Sequence, residues 1–152
     1  MKAAKGGAVA YMASARPSPV DKSLAQRIKV HVARRPAAWE TWEAWSTLLE
    51  CLKKASKRPY KALFLDGLGM YCSLALSRPQ AAFLDDIEVF ALGCRHQAAL
   101  TVVVADEVGQ GGVAGHPVSR AFADLNGLAN QVLARHADEV WVVQAGIETR
   151  IK

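Results

Sequence analysis

The chain has 152 residues, 51% of them apolar and 22% charged, with a formal net charge of +5. That length and composition suit one globular domain with a buried core and exclude a disordered or low-complexity chain. Three cysteines without a CxxC pair exclude a zinc or disulfide framework and suit a reducing, cytoplasmic setting; no apolar run is long enough for a membrane span, and no signal peptide is present.

Residues 1–5 suit a short helix closed by Gly6 and Gly7. Residues 8–13 read as a short strand that ends at Ser14 and Ala15. Residues 16–19 make a turn. Asp21 or Ser18 can then cap a helix that runs to about Arg34 and is stopped by Pro36. Leu24 and Ile28 mark its apolar stripe, and His31 continues it, with Arg27 and Arg34 at helical spacing. On these residues alone, His31 edges the core-facing stripe of an amphipathic helix. Trp39, Trp42 and Trp45 follow at intervals of three and read as core or interface. Trp45, Leu48, Leu49 and Leu52 give the apolar face of the next helix, whose basic end precedes Pro59. Basic residues concentrate before Lys61, which suits phosphate-bearing ligands as well as nucleic acid. No arginine-aromatic nucleic-acid motif is present.

Residues 61–65 form a short apolar strand that ends at Asp66. An aspartate there is where a P-loop enzyme places its magnesium-organising acid, but it is also a common turn former. Residues 70–76 and 81–97 read as structural helices, the second with Phe83, Ile87, Phe90 and Cys94 on one face. Asp85, Asp86 and Glu88 read as a solvated acidic face, and His96 as a helix-end residue. Residues 100–105 read as a buried parallel strand ending in Asp106 and Glu107. A loop with Gly109, Gly111, Gly112 and Gly115 follows, then a helix with Val118, Phe122, Leu125, Ala129, Val132 and His136 on one face, then a strand over residues 139–145. Strand, loop, helix, strand is the βαβ unit of an α/β nucleotide-handling fold. The strands at 8–13, 61–65, 100–105 and 139–145 are expected to form one mostly parallel sheet flanked by helices, in a single domain spanning residues 1–152.

The last third also carries a family pattern. Glu107, Val108, Gly109 and Gly111 are followed by Arg120, Phe122, Asp124, Gly127, Asn130 and Gln131, then by Ala137, Asp138, Glu139 and Val140. A second block holds Arg27, Ile28, His31, Arg35, Pro36, Trp39, Thr41 and Glu43. With both blocks ungapped, the sequence resembles the adenosylcobinamide kinase / adenosylcobinamide-phosphate guanylyltransferase family. Where that family has Asp-Cys-Leu-Thr, this chain has Asp66, Gly67, Leu68 and Gly69. The family's first strand, phosphate-cradling loop and first helix have no counterpart, and no G-x-x-x-x-G-K-[ST] occurs in the sequence. The resemblance therefore implies an α/β fold of the P-loop NTPase (RecA-like) type, truncated at its N-terminus.

The resemblance implies a transferase that phosphorylates adenosylcobinamide with GTP or ATP and then transfers GMP from GTP to the phosphorylated product. His31 corresponds to the histidine that becomes guanylylated. A neutral imidazole is a competent nucleophile and can form a reversible N–P bond. Ala13, Ser14 and Ala15 correspond to a tripeptide near the nucleotide, Arg34 and Arg35 would neutralise phosphates, Glu43 matches a nucleotide contact, and Asp66 would organise Mg2+. The implied partners are adenosylcobinamide and GTP, with no membrane and no nucleic acid, in a homo-oligomer. Two other readings stay open: a non-catalytic relative acting as a binding or partner subunit, and a basic α/β module that binds nucleic acid.

Overall fold

The computed structural model describes residues 7–18, 20–44, 47–97 and 99–152. The helix expected over residues 1–5, Pro19 of the turn and Trp45 of the tryptophan series lie outside the described residues. The sheet is parallel throughout. β1 (Val9–Ala13) lies between β2 (Glu40–Glu43) and β3 (Ala62–Asp66), and β4 (Leu100–Val104) extends it beyond β3. The expected α/β architecture is present: a four-stranded parallel sheet with five helices among the described residues. β1 and β3 read as nearly unbroken apolar runs because both of their faces are covered.

Two strand expectations change. Residues 40–43 form a strand that the tryptophan spacing did not suggest. Their sequence, Glu-Thr-Trp-Glu, alternates, and only Trp42 turns into the core. The strand expected at 139–145 exists as β5 (Trp141–Gln144), but it does not join the sheet. It pairs antiparallel with β6 (Ile147–Arg150). Ala145 and Gly146 both take positive φ, 52° and 79°, the backbone of a two-residue hairpin turn. That turn folds the chain back on itself, so the nearest edge available to β5 is β6.

The two faces of the sheet are unequal. Ala10, Met12, Trp42, Leu63 and Leu65 share one face by register and alternation, and all lie in the main core. α1 (Lys22–Arg34) contributes nothing to that core. It is capped by Asp21, which accepts from the Leu24 amide at 2.8 Å, and it has no buried residue. The core is closed by α2 (Leu48–Ala55), α3 (Leu68–Leu74), α4 (Gln80–Arg95) and α5 (Pro117–His136). They supply Leu48, Tyr71, Phe83, Ile87, Phe90 and Leu125, among others. α2 buries Leu48, Cys51 and Ala55, so its inward face is rotated from the stripe read in the sequence. Tyr11 and Phe64 occupy the opposite sheet face, with Ala13 and Asp66 two residues further along it. That face is the one α1 approaches.

α5 and its preceding loop explain several motif residues. Pro117 opens the helix, and the His116 ring caps it by accepting from the Val118 amide. Arg120 Nη1 donates to the carbonyls of Ala114 and Gly115, each at 2.8 Å, and so closes the glycine-rich loop. Asn126 and Asn130 both donate to the carbonyl of Asp106, at 2.7 and 3.0 Å, and fix the exit from β4. Gly69 leaves room for the Asp106 carboxylate: a Cβ at 69 would lie 2.2 Å from Oδ2. Of the acidic face on α4, Asp86 pairs with Arg78 and Glu88 with His136 and Arg135, while Asp85 stays exposed. His96 caps the end of α4. No helix among the described residues is long and apolar enough to cross a membrane.

All three cysteines are free. Burial pushes the Cys51 and Cys94 thiols up to about 11 and the Cys72 thiol up to about 12. Because the thiolate is the reactive form, at pH 8 each thiol should react with Ellman's reagent at least about a hundredfold more slowly than a free cysteine. All three should react together once the chain is unfolded in denaturant. A single fast thiol in the native protein would mean that one of these helices opens readily.

Candidate functional site

The carboxyl ends of the central strands form one row. Ala13 is opposite Glu43 on β2 and opposite Asp66 on β3, and Asp66 is opposite Val104 on β4. In open parallel sheets this edge is where ligands sit. Ser14 locks the row in place. Its hydroxyl donates to the Gly67 carbonyl at 2.6 Å and accepts from the Gly67 amide at 3.0 Å, and the residue is fully buried.

α1 ends above this edge. His31 lies in its last turn, with a side chain 62% exposed, and its Nδ1 is 3.6 Å from Asp66 Oδ2. The same carboxylate oxygen accepts a hydrogen bond from the Tyr11 hydroxyl. Arg35 ends the helix in extended backbone, and Pro36 prevents its continuation. The chain therefore turns down, and the Arg35 guanidinium lies over the Tyr11 ring, 3.4 Å from its centroid. Arg35 Nη1 donates to Thr41 Oγ1 at 2.7 Å. Its Nε is buried and has no partner among the described residues.

Tyr11, Trp39 and Phe64 make an aromatic wall. Tyr11 stacks on Phe64 with centroids 5.7 Å apart and planes 12° from parallel; Trp39 lies 6.3 Å from Tyr11 and 5.9 Å from Phe64. Together with His31, Arg34, Arg35, Pro36 and Asp66 these residues line a cavity of about 140 Å3. An imidazole, a carboxylate and two guanidinium groups thus meet beside flat apolar surface. Burial, and then the hydrogen bond to Asp66, push the Tyr11 phenol up to about 12, so its proton stays on the donor.

Of the residues singled out from the sequence, His31, Arg34, Arg35 and Asp66 come together in this cavity. Ala13 and Glu43 lie in the adjoining strand row, Ser14 is its buried clamp, and Ala15 follows it; none of the four lines the cavity. Tyr11, Trp39 and Phe64 were not foreseen as site residues. The available signal for Tyr11 was its place two residues before Ala13, hence on the same face of β1.

Magnesium prefers oxygen ligands and keeps several waters, so one or two carboxylates and substrate phosphates suffice to hold it. Among the described residues no three His, Cys, Asp or Glu converge. The single Asp66 carboxylate fits a magnesium ion that carries phosphate and water on its other positions, and does not fit a caged ion.

A larger cavity, about 350 Å3, lies between α4 and α5 and is lined by Leu84, Asp85, Glu88, Leu128, Gln131, Val132 and Arg135. Its Glu88 already accepts at 2.6 Å from His136. Its lining residues offer no free nucleophile, and all of them lie on α4 and α5 and none on a strand. Size alone therefore does not select it.

A family model described as cobinamide kinase / cobinamide phosphate guanyltransferase matches residues 1–151. A bifunctional adenosylcobalamin biosynthesis protein of Salmonella typhimurium is 33% identical over 147 residues, covering 88% of this chain and 81% of that protein. The protein of the same description from Escherichia coli is 31% identical over 147 residues, with the same coverage. One from Pseudomonas aeruginosa is 29% identical over 153 residues, covering 100% of this chain and 87% of its own length.

The Tyr11–Asp66 bond has a pH signature. Its donor is the neutral phenol, whose ionisation is raised from 10.0 to about 12 by folding. The stability it contributes is complete below pH 10 and is lost as the pH rises through about 12. Tyr11→Phe should cost about 1 kcal/mol in urea unfolding at pH 8. The difference between the two proteins should narrow from pH 10 upward. Equal stability at pH 8 would show that the bond contributes nothing.

Proposed function

The chain belongs to the cobinamide kinase / cobinamide phosphate guanyltransferase family, and we propose from that membership that it is a nucleotide-dependent transferase of cobalamin biosynthesis. In the first half of the proposed reaction, the aminopropanol hydroxyl of adenosylcobinamide takes the γ-phosphoryl group of ATP or GTP. In the second, GTP guanylylates His31, and the GMP group passes to adenosylcobinamide phosphate. The observation that carries this reading is the convergence of His31, Arg34, Arg35 and Asp66 in one cavity at the carboxyl edge of a parallel sheet.

The residues divide the work as follows. His31 is the acceptor, and its exposure leaves the imidazole open to a phosphate from solvent. Arg34 and Arg35 neutralise the triphosphate. The Arg35 guanidinium lines the cavity and is already held in place by the Tyr11 ring and Thr41. Trp39 and Phe64 offer flat apolar surface to a ring. Asp66 would hold Mg2+, which when bound draws phosphate charge towards the site. Ser14 acts through Gly67, keeping Asp66 at its place on the edge. The proposal extends to the cytoplasm as the setting, which three free thiols suit, and to a homo-oligomer.

Two measurements test this reading. No glycine-rich Gly-Lys-Ser/Thr loop occurs in the 152 residues, so the phosphate grip rests on side chains. GTP with magnesium should therefore bind with a Kd above about 1 μM, by calorimetry. Tighter binding would mean that another element holds the triphosphate. Separately, incubation with α-labelled GTP should label the chain through a phosphoramidate, lost in acid and retained in base. His31→Asn should abolish the label, whereas His96→Asn and His136→Asn should keep it. Base-stable label surviving in His31→Asn would overturn the assignment. No label in any protein would favour a non-catalytic, ligand-binding relative.

A further inference from the structure

His31 has two ring nitrogens, and a phosphorus atom can join only the one whose lone pair is free. The two nitrogens stand in different surroundings. Nδ1 faces Asp66 Oδ2 at 3.6 Å, an ion-pair separation somewhat longer than a formed hydrogen bond. Catalytic pairs of this kind are often loose before ligand arrives and tighten afterwards. The carboxylate itself is anchored. Tyr11 donates to the oxygen that faces His31, and the Asp66 backbone carbonyl accepts from the Ser14 amide at 3.4 Å. Asp66 ends a strand whose Leu63 and Leu65 are fully buried. The fixed partner is thus the acid, and the adjustable one is the exposed imidazole.

An ionised carboxylate only accepts hydrogen bonds. A neutral imidazole beside it is favoured with its proton on the near nitrogen, because a lone pair on Nδ1 would face the negative oxygen. We propose that Asp66 is a positioning residue that holds His31 in the Nδ1–H tautomer, with Tyr11 fixing the Asp66 carboxylate, so that Nε2 is the nitrogen that bonds to phosphorus. This rests on the reading of His31 as the guanylyl acceptor. In the step so specified, the Nε2 lone pair attacks the α-phosphorus of GTP. The bond from that phosphorus to the α,β-bridging oxygen breaks, and pyrophosphate leaves with the electron pair. The ring keeps its Nδ1 proton and becomes cationic, and Asp66 faces that charge. In the return step an oxygen of the phosphorylated acceptor attacks phosphorus, and the Nε2–P electron pair goes back to the ring.

The test uses the whole chain labelled with 15N-histidine. Long-range 1H–15N spectra at alkaline pH, with His31 assigned by its absence in His31→Asn, report which nitrogen carries the proton. The expected result is an Nδ1–H signature in the wild type. Asp66→Asn should move it towards Nε2–H, and Tyr11→Phe should move it in the same direction with the fold intact by circular dichroism. An Nε2–H wild type, or a tautomer unchanged in both variants, would overturn the proposal. 31P spectra of the guanylylated chain give a second readout. Phosphorus on Nε2 supports the proposal, and phosphorus on Nδ1 overturns it while leaving His31 as the acceptor. An Nδ1–H tautomer in a chain that takes no label would leave Asp66 as the orienting group and count against the transferase reading instead.

Discussion

The ladder between β1 and β3 fixes everything at the carboxyl edge. It pairs Tyr11 with Phe64 and Ala13 with Asp66, and Ser14 ties its end to Gly67. Side chains alternate along a strand, so a slip of one residue would turn Tyr11 into the main core and Met12 out of it. The register is held because Met12, Leu63 and Leu65 are fully buried on one face. The opposite face is then free to carry polar chemistry. Tyr11 is both a buried wall and the donor to Asp66, so the packing of the sheet and the placing of the acid are one constraint.

The helices divide along the same line. α2 to α5 give large apolar side chains to the core, while α1 gives none. A helix without buried residues is tied down chiefly at its end, where Arg35 lies on Tyr11 and donates to Thr41. Elements with few buried contacts occupy the low-stability end of a structure, where groups that must meet a ligand are found. His31 sits on that helix and Asp66 on a core strand. The site thus pairs an exposed imidazole with an anchored carboxylate.

Much of this was legible in the sequence, for identifiable reasons. β1, β3 and β4 announced themselves as apolar runs, and α4 and α5 by helical periodicity. β2 did not, because four residues with one buried tryptophan are too short for alternation to stand out, and the tryptophans were read only as core or interface. β5 was placed correctly but given the wrong partner. Local sequence shows that a segment is extended; it does not say which edge it meets, although Ala145-Gly146 was a turn signal that could have been used. His31 and Asp66 were each singled out through family resemblance, but their contact across 35 positions was not visible, since it depends on where α1 ends relative to the sheet. Tyr11 was missed because a tyrosine in a strand looks like an ordinary strand former.

The account depends on ligand meeting the chain at the strand ends below α1, and not at the larger cavity between α4 and α5. Backbone and side-chain NMR shifts recorded while GTP and magnesium are added would locate the contact directly. The account predicts shifts at His31, Arg35, Trp39 and the ends of β1 and β3, with Leu84, Leu128 and Val132 unmoved. Shifts confined to those α4 and α5 residues, with His31 and Arg35 silent, would contradict it.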